Sequence, residues 1–267
     1  MEHLFSVWPD IARRIEIAGH ILLLTDFDGT LASIADRPEA AVLPDDTKRV
    51  IERLADHDRV GVAVISGRSL SDIKNKVGIR HITYAGNHGI EIEGPWLKFV
   101  HPAAEATRPV MSHLYSTLSK VLAEIDGVVI EDKGLTLSVH YRLVAEERVS
   151  ELKRICEESV QGLRSAGRIR TTEGKKVYEI RPGVPWDKED AIVLLLNEWT
   201  ASTGMDTSLA IFLGDDLTDE GGFKAVDTRG GLSIFVGDSG SVTAARHFLT
   251  SPDEVAVFLQ RLSQSID

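Results

Sequence analysis

Five short apolar runs rich in β-branched residues, at 21–25, 60–65, 82–85, 209–213 and 232–236, are separated by longer stretches whose apolar residues recur at helical spacing. Continuous rather than alternating apolar character marks a strand buried on both faces, and parallel strands need helical crossovers between them. The pattern predicts an α/β fold, a Rossmann-like parallel sheet covered by helices. Asp45 stands where it would cap a helix presenting Val50, Ile51 and Leu54 on one face. Asp187 stands where it would cap one presenting Ile192, Leu195 and Leu196.

The middle of the chain breaks this rhythm. Residues 103–183 read as helix 110–124, strands 128–131 and 135–141, helix 146–163, and strands 169–172 and 177–180. Asp132-Lys133-Gly134 and Glu173-Gly174-Lys175 supply turn chemistry between the paired strands, with glycine available for the turn geometry. An αββαββ insertion in an α/β domain predicts a second, smaller α+β domain over 103–183. Residues 1–102 and 184–267 then form the core in two pieces.

Charge narrows the partners. The net charge is −11 at pH 7, and a surface of that sign repels nucleic acid and anionic membranes. Neither is expected as a partner, and an anionic substrate would need a local cationic site or a bound metal. Cys156 is the only cysteine, which leaves no intramolecular disulfide or cysteine-rich zinc site and reads as a small apolar residue on a helix face. With no apolar run approaching the ~18 residues of a membrane span and no signal-peptide pattern, the expectation is a cytoplasmic protein.

The polar residues gather where the strands end. Asp26 and Asp28 close the first run, and because side chains alternate along a strand they share one face. Two carboxylates that close do not both ionise cheaply without a cation, and a hard divalent ion with oxygen ligands such as Mg²⁺ suits them. Ser66-Gly67-Arg68 follows the second run, placing a hydroxyl and main-chain N–H groups near a helix start, where phosphate binds readily. Asp215 follows the fourth. Thr218, Asp219 and Glu220 beyond it are expected to be a capped helix start with acids in its first turn. Lys188 sets a positive charge at the positive end of a helix dipole, a placement that suits an anion more than stability. Asp26, Asp28, Ser66 and Asp215 all follow carboxyl ends of parallel strands, where open α/β sheets bind ligands.

Asp26-Phe27-Asp28-Gly29-Thr30, Ser66-Gly67-Arg68, Lys188 and Gly214-Asp215-Asp216 match, in order, the four motifs of the haloacid dehalogenase superfamily. Ala85-Gly86-Asn87-His88-Gly89, Glu131-Asp132-Lys133-Gly134, Ser138-Val139-His140-Tyr141-Arg142, Val177-Tyr178-Glu179-Ile180-Arg181-Pro182 and Gly214-Asp215-Asp216-Leu217-Thr218-Asp219-Glu220 resemble the trehalose-6-phosphate phosphatases. The resemblance covers almost the whole chain. It implies that Asp26 attacks phosphorus to form an aspartyl-phosphate, and that Asp28 protonates the departing sugar oxygen and then activates water. Ser66 and Lys188 would stabilise the phosphoryl group. Mg²⁺ would be the cofactor, with Asp26, Asp28 (through its main-chain carbonyl) and Asp215 as the metal residues. The insertion would be a cap that closes over the core. Substrate contacts would come from Arg68, Asn87, His88, Gly89, Glu131, Lys133, His140, Arg142, Lys176 and Glu179. The implied partner is a small-molecule sugar phosphate, the expected assembly a monomer or weak dimer. Phosphatases of sucrose 6-phosphate or mannosyl-phosphoglycerate share every core residue, so only the insertion discriminates between them. A noncatalytic phosphosugar-binding module is disfavoured by intact Asp26, Asp28, Lys188 and Asp215.

Overall fold

Leu22 and Leu24 are buried on one side of the strand His20–Thr25, and Ile21 and Leu23 on the other. A strand buried on both faces belongs in the middle of a covered sheet. The computed structural model describes residues 1–35, 38–174, 176–203 and 208–266. They fall into two units, Met1–Phe99 with Trp186–Asp267 and Val100–Pro185.

In chain order the strands are β1 (Glu2–His3), β2 (His20–Thr25), β3 (Val60–Ile65), β4 (Thr83–Gly86), β5 (Glu91–Glu93), β6 (Lys98–Val100), β7 (Val129–Asp132), β8 (Leu137–His140), β9 (Ile169–Gly174), β10 (Val177–Pro182), β11 (Ser208–Gly214), β12 (Leu232–Val236) and β13 (His247–Leu249). The helices are α1 (Trp8–Ile17), α2 (Asp45–Ala55), α3 (Leu70–Val77), α4 (Pro102–Glu105), α5 (Arg108–Val121), α6 (Glu146–Ser165), α7 (Lys188–Thr203), α8 (Glu220–Asp227) and α9 (Pro252–Ile266).

Among the described residues, the first unit's sheet runs β1-β13-β12-β11-β2-β3-β4-β5-β6. It is parallel from β1 to β4 and turns antiparallel at β5. From β2 the chain steps outward through β3 and β4, whereas the later strands step the other way from β11. The order therefore reverses between β2 and β11, which is the crevice where open α/β sheets hold ligands. One apolar cluster joins Ile21, Leu23, Val62 and Leu213 to Ile15, Ile51, Leu54, Ile73 and Phe258 of the helices beneath. A second joins Leu22, Leu24 and Phe212 to Ile192, Leu195, Trp199 and Phe223 on the opposite face.

Two helix starts differ in kind. Pro44, not Asp45, occupies the cap position of α2, with no side-chain cap bond, and Asp45 is the first helical residue. An extended proline suits that place, and an acid in the first turn still complements the dipole. Asp187 does cap α7. Its Oδ1 accepts from Glu189 N at 3.0 Å, and Asp190 Oδ2 accepts from Asp187 N at 3.0 Å.

The second unit is an antiparallel sheet, β7-β8-β10-β9. Leu137, Val139, Tyr178 and Ile180 cover one face with Met111, Leu114 and Leu118 of α5 and Leu152, Cys156 and Val160 of α6. Cys156 is buried, and burial pushes its thiol up to about 12, so it is an inert core residue. The other face is polar. The register aligns Glu131, Ser138, Glu179 and Thr172 in one row across all four strands. Gly174 pairs with Val177 inside the ladder, and the left-handed residue of that hairpin is Lys176, at φ 63°. Lys175, expected in the turn, lies outside the described residues. Among the described residues no helix is long and apolar enough to cross a membrane.

Candidate active site

β2 and β11 run side by side, and the amide of Asp26 donates to the Leu213 carbonyl at 2.9 Å. This pairing brings the Asp26 and Asp215 loops together. Gly29, at φ 82°, turns the first loop back, and a Cβ there would overlap the Asp215 carboxylate. Glycine is required at that point for both reasons. Carboxylate oxygens of Asp26, Asp215 and Asp219 lie within 4.8 Å of one another.

Lys188 is the cation among them. It is 2% exposed, and its Nζ lies 2.6 Å from Asp219 Oδ1 and 3.0 Å from Asp26 Oδ1. Burial works against its charge, but Asp219 and then Asp26 outweigh that and hold the ammonium well above its usual range. The acids are under opposite pressure. Burial raises Asp26 well above the carboxylate range, with Lys188 opposing and Asp219 and Asp215 adding to the rise. Burial, then Asp216 and Asp219, push Asp215 up to about 7. Burial also raises Asp219 against the pull of Lys188. Four carboxylates around one ammonium are short of positive charge, and an all-oxygen donor set of this kind fits a hard divalent cation.

Asp219 stands at a capped helix start as expected, but its burial was not foreseen. Expected as a helix-start acid, it is fully buried, and its Oδ2 accepts from Asp215 N at 3.1 Å and Asp216 N at 3.2 Å. It fixes the loop that carries Asp215 while its other oxygen takes Lys188. The capping task falls to Asp216, whose Oδ1 accepts from Thr218 N at 2.8 Å and Thr218 Oγ1 at 2.6 Å. Asp216 and Asp219 form a capping box, so an acid three residues after a cap was the available signal.

Asp28 is not in the acidic cluster. Arg68 grips it with a bidentate fork, Nε to Oδ2 and Nη2 to Oδ1, both 2.7 Å. Nη1 of Arg68 donates to Asp72 Oδ2 at 2.7 Å, and the guanidinium lies 5.5 Å over the Phe27 ring. Arg68 thus meets two carboxylates, whereas the sequence assigned it to substrate. Ser66 is 1% exposed. It does not cap α3, since that cap is Ser69, whose Oγ accepts from Asp72 N. Ser66 Oγ instead accepts from Arg68 N at 3.2 Å.

Asn87, His88 and Gly89 follow β4 as three successive left-handed residues, at φ 51°, 58° and 85°. Such backbone costs roughly 1–2 kcal/mol per non-glycine residue, so it persists only when held. Asn87 N donates to Arg68 O at 2.7 Å and His88 N to Ser66 O at 2.9 Å. Asn87 Nδ2 donates to Glu91 Oε1 at 2.7 Å.

The second unit holds the remaining expected residues. Glu131 Oε2 meets His140 Nε2 at 3.0 Å and Lys133 Nζ at 3.7 Å. Glu179 Oε2 pairs with Arg181 Nη2 at 2.5 Å. These residues share the polar sheet face. Lys176 does not join them, since it sits exposed in the hairpin turn and pairs with Glu146 at 2.9 Å. Arg142 follows β8 on an exposed loop.

Three acids gathered round a buried lysine at the switch point of a parallel sheet are the arrangement of a haloacid dehalogenase-type core. The sequence profile described as Trehalose-phosphatase matches residues 24–253. The chain belongs to the trehalose-phosphatase family, whose members are phosphoric monoester hydrolases. Its relatives include trehalose 6-phosphate phosphatase RA3 of Zea mays, 35% identical over 91% of this chain and 70% of that protein. They also include trehalose-phosphate phosphatase of Mycobacterium tuberculosis, 37% identical over 98% of this chain and 67% of that protein. The fold is shared with the trehalose-6-phosphate phosphatase C-terminal domain of C. albicans, at TM-score 0.75, 20% identity and 96% coverage of both chains.

Proposed function

We propose that this chain hydrolyses trehalose 6-phosphate to trehalose and phosphate, with Mg²⁺ as cofactor and Asp26 as nucleophile. The observation that carries the reading is Lys188, buried in contact with Asp26 and Asp219 where β2 meets β11. Uncatalysed phosphate-monoester hydrolysis is slow enough for accelerations up to ~10²¹. General acid–base groups supply about 10² to 10⁴ of that, so positioning and charge neutralisation carry the rest.

Asp26 and Asp215 would hold the metal. Both oxygens of Asp219 are engaged, and the Asp28 carboxylate is gripped by Arg68, so Asp28 would contribute through its main-chain carbonyl. When bound, the ion supplies positive charge against the phosphoryl oxygens. In the first half-reaction an Asp26 oxygen bonds to phosphorus, the phosphorus–sugar oxygen bond breaks, and Asp28, protonated once the Arg68 fork has released one of its oxygens, gives that proton to the departing oxygen. In the second, Asp28 takes a proton from water, the water oxygen bonds to phosphorus, and Asp26 is released as carboxylate with free phosphate. Ser66 and Lys188 donate to the phosphoryl oxygens in both. Phosphate release measured across a panel of sugar phosphates, with Mg²⁺ and with excess chelator, tests the reading. Trehalose 6-phosphate should lead the panel, chelator should abolish release and added Mg²⁺ should restore it. Full activity in chelator would sink the metal assignment.

We assign sugar recognition to the polar sheet face of the second unit, where Glu131, Ser138 and Glu179 lie in register. Truncating a charged hydrogen-bond partner costs about 1.5–3 kcal/mol, roughly tenfold to a hundredfold in rate. Glu179→Ala should therefore lower kcat/KM for trehalose 6-phosphate by that factor while leaving p-nitrophenyl phosphate nearly unchanged. An equal drop on both substrates would remove sugar recognition from this face.

A further inference from the structure

Phe99 is the last residue of the first unit before the chain enters the second, and Trp186 is the first after it returns. Their rings stack, with centroids 5.1 Å apart and planes 28° from parallel. Both crossings therefore leave the first unit from one aromatic pair. The indole Nε1–H of Trp186 donates to Gly89 O at 3.0 Å, and Gly89 ends the left-handed turn. Ala191 of α7, the helix that begins with Lys188, stands where a Gly89 side chain would be. On its other side the turn is tied to the carbonyls of Ser66 and Arg68, and the His88 ring lies over Gly67.

A run of three left-handed residues, two of them not glycine, depends on its surroundings for its shape. Here it is gripped between the Ser66–Arg68 segment and the Trp186–α7 side, so a change at Trp186 is transmitted to His88 and to the main chain beside Ser66. We infer that Trp186 is a positioning residue for the reaction. Stacked on Phe99 and bonded to Gly89, it holds the Asn87-His88-Gly89 turn in the geometry that the phosphoryl site uses. The inference rests on the phosphatase reading in assigning that turn to substrate. If Trp186 were simple packing, its removal would lower stability and activity together, as for any aromatic of that apolar cluster. Trp96, whose ring meets Trp199 with centroids 5.5 Å apart in the same cluster, supplies that comparison.

The test uses the full chain. Trp186→Phe keeps a ring able to stack but lacks the N–H donor, Phe99→Leu keeps the donor but lacks the stack, and Trp96→Phe is the packing control. With Mg²⁺ and trehalose 6-phosphate, Trp186→Phe should lose about tenfold in kcat/KM, while its unfolding midpoint falls no further than that of Trp96→Phe. The imidazole ¹H–¹³C signal of His88, assigned by its loss in His88→Asn, should move in Trp186→Phe and Phe99→Leu and stay in place in Trp96→Phe. Equal activity loss in Trp186→Phe and Trp96→Phe, or a His88 signal that ignores both clasp variants, would overturn the inference. Should the wild-type chain release no phosphate from trehalose 6-phosphate, the functional reading fails. The His88 signal in the metal-free protein then decides the positioning role by itself.

Discussion

Asp26→Asn should abolish turnover and leave the fold intact. The amide matches the carboxylate in shape but is a poor nucleophile, and removing such a group costs on the order of 10⁴ to 10⁶ in kcat. Stability should move the other way. Burial raises the Asp26 pKa, so at neutral pH its ionisation opposes folding of the metal-free protein, and a neutral amide lifts that opposition. Lys188 keeps Asp219 at 2.6 Å as partner. Without metal at pH 7.5 the variant should therefore melt at or above the wild-type temperature, and it should lose most of the stabilisation that Mg²⁺ gives the wild type. Phosphate release near the wild-type rate in the purified variant would end the aspartyl-phosphate mechanism. A melting temperature far below wild type would show the electrostatic reading of the cluster to be wrong.

Lys188→Met should damage activity and stability together. Methionine has similar bulk but leaves Asp26 and Asp219 without their shared cation, and stripping one partner from a buried ion pair costs about 3–5 kcal/mol. The loss should depend on pH. A buried carboxyl whose folded pKa is raised binds its proton more tightly folded than unfolded, so it favours folding below the unfolded value of 3.8 and loses that effect as pH rises through the folded one. With Lys188 gone the rise is larger, so the penalty against wild type should be small near pH 4 and should grow toward pH 7 and above. Mg²⁺ should recover part of the stability and none of the activity. A penalty constant across that range, followed by denaturant unfolding, would remove the buried-pair explanation.

Much of the site was legible because its chemistry is local. Asp26 and Asp28 come just after β2, Ser66 follows β3 directly and Lys188 follows its cap, so strand ends and a cap signal placed them near the sheet's carboxyl edge, but strand alternation did not foresee that Arg68 holds Asp28 apart from the acid cluster. Residues whose role depends on tertiary burial were not legible. Asp219 has the same letter and the same helix-start context as an exposed capping acid, and only the packing of its loop against Lys188 distinguishes it. Asp45 read as a cap because propensity favours aspartate there, yet the extended backbone of Pro44 had taken the position. The left-handed state of Asn87 and His88 carries no sequence signal, since neither residue demands it and the surrounding bonds impose it. Strands β1, β5, β6 and β13, at two or three residues each, are too short for a period to register.

The pairing of β2 with β11 also bears on how the chain acquires its structure. Ile21 lies opposite Leu209, and Thr25 opposite Leu213, so the central seam of the sheet joins the beginning of the chain to its last quarter. Contacts of such long separation form slowly, because the loop between them must close before they contribute. The second unit is a continuous stretch with neighbouring strand pairs, and it is already complete when Leu209 leaves the ribosome. During synthesis β2, β3 and β4 must therefore wait with one apolar edge uncovered while the inserted unit is made and folds. That interval is when this chain is most exposed to aggregation.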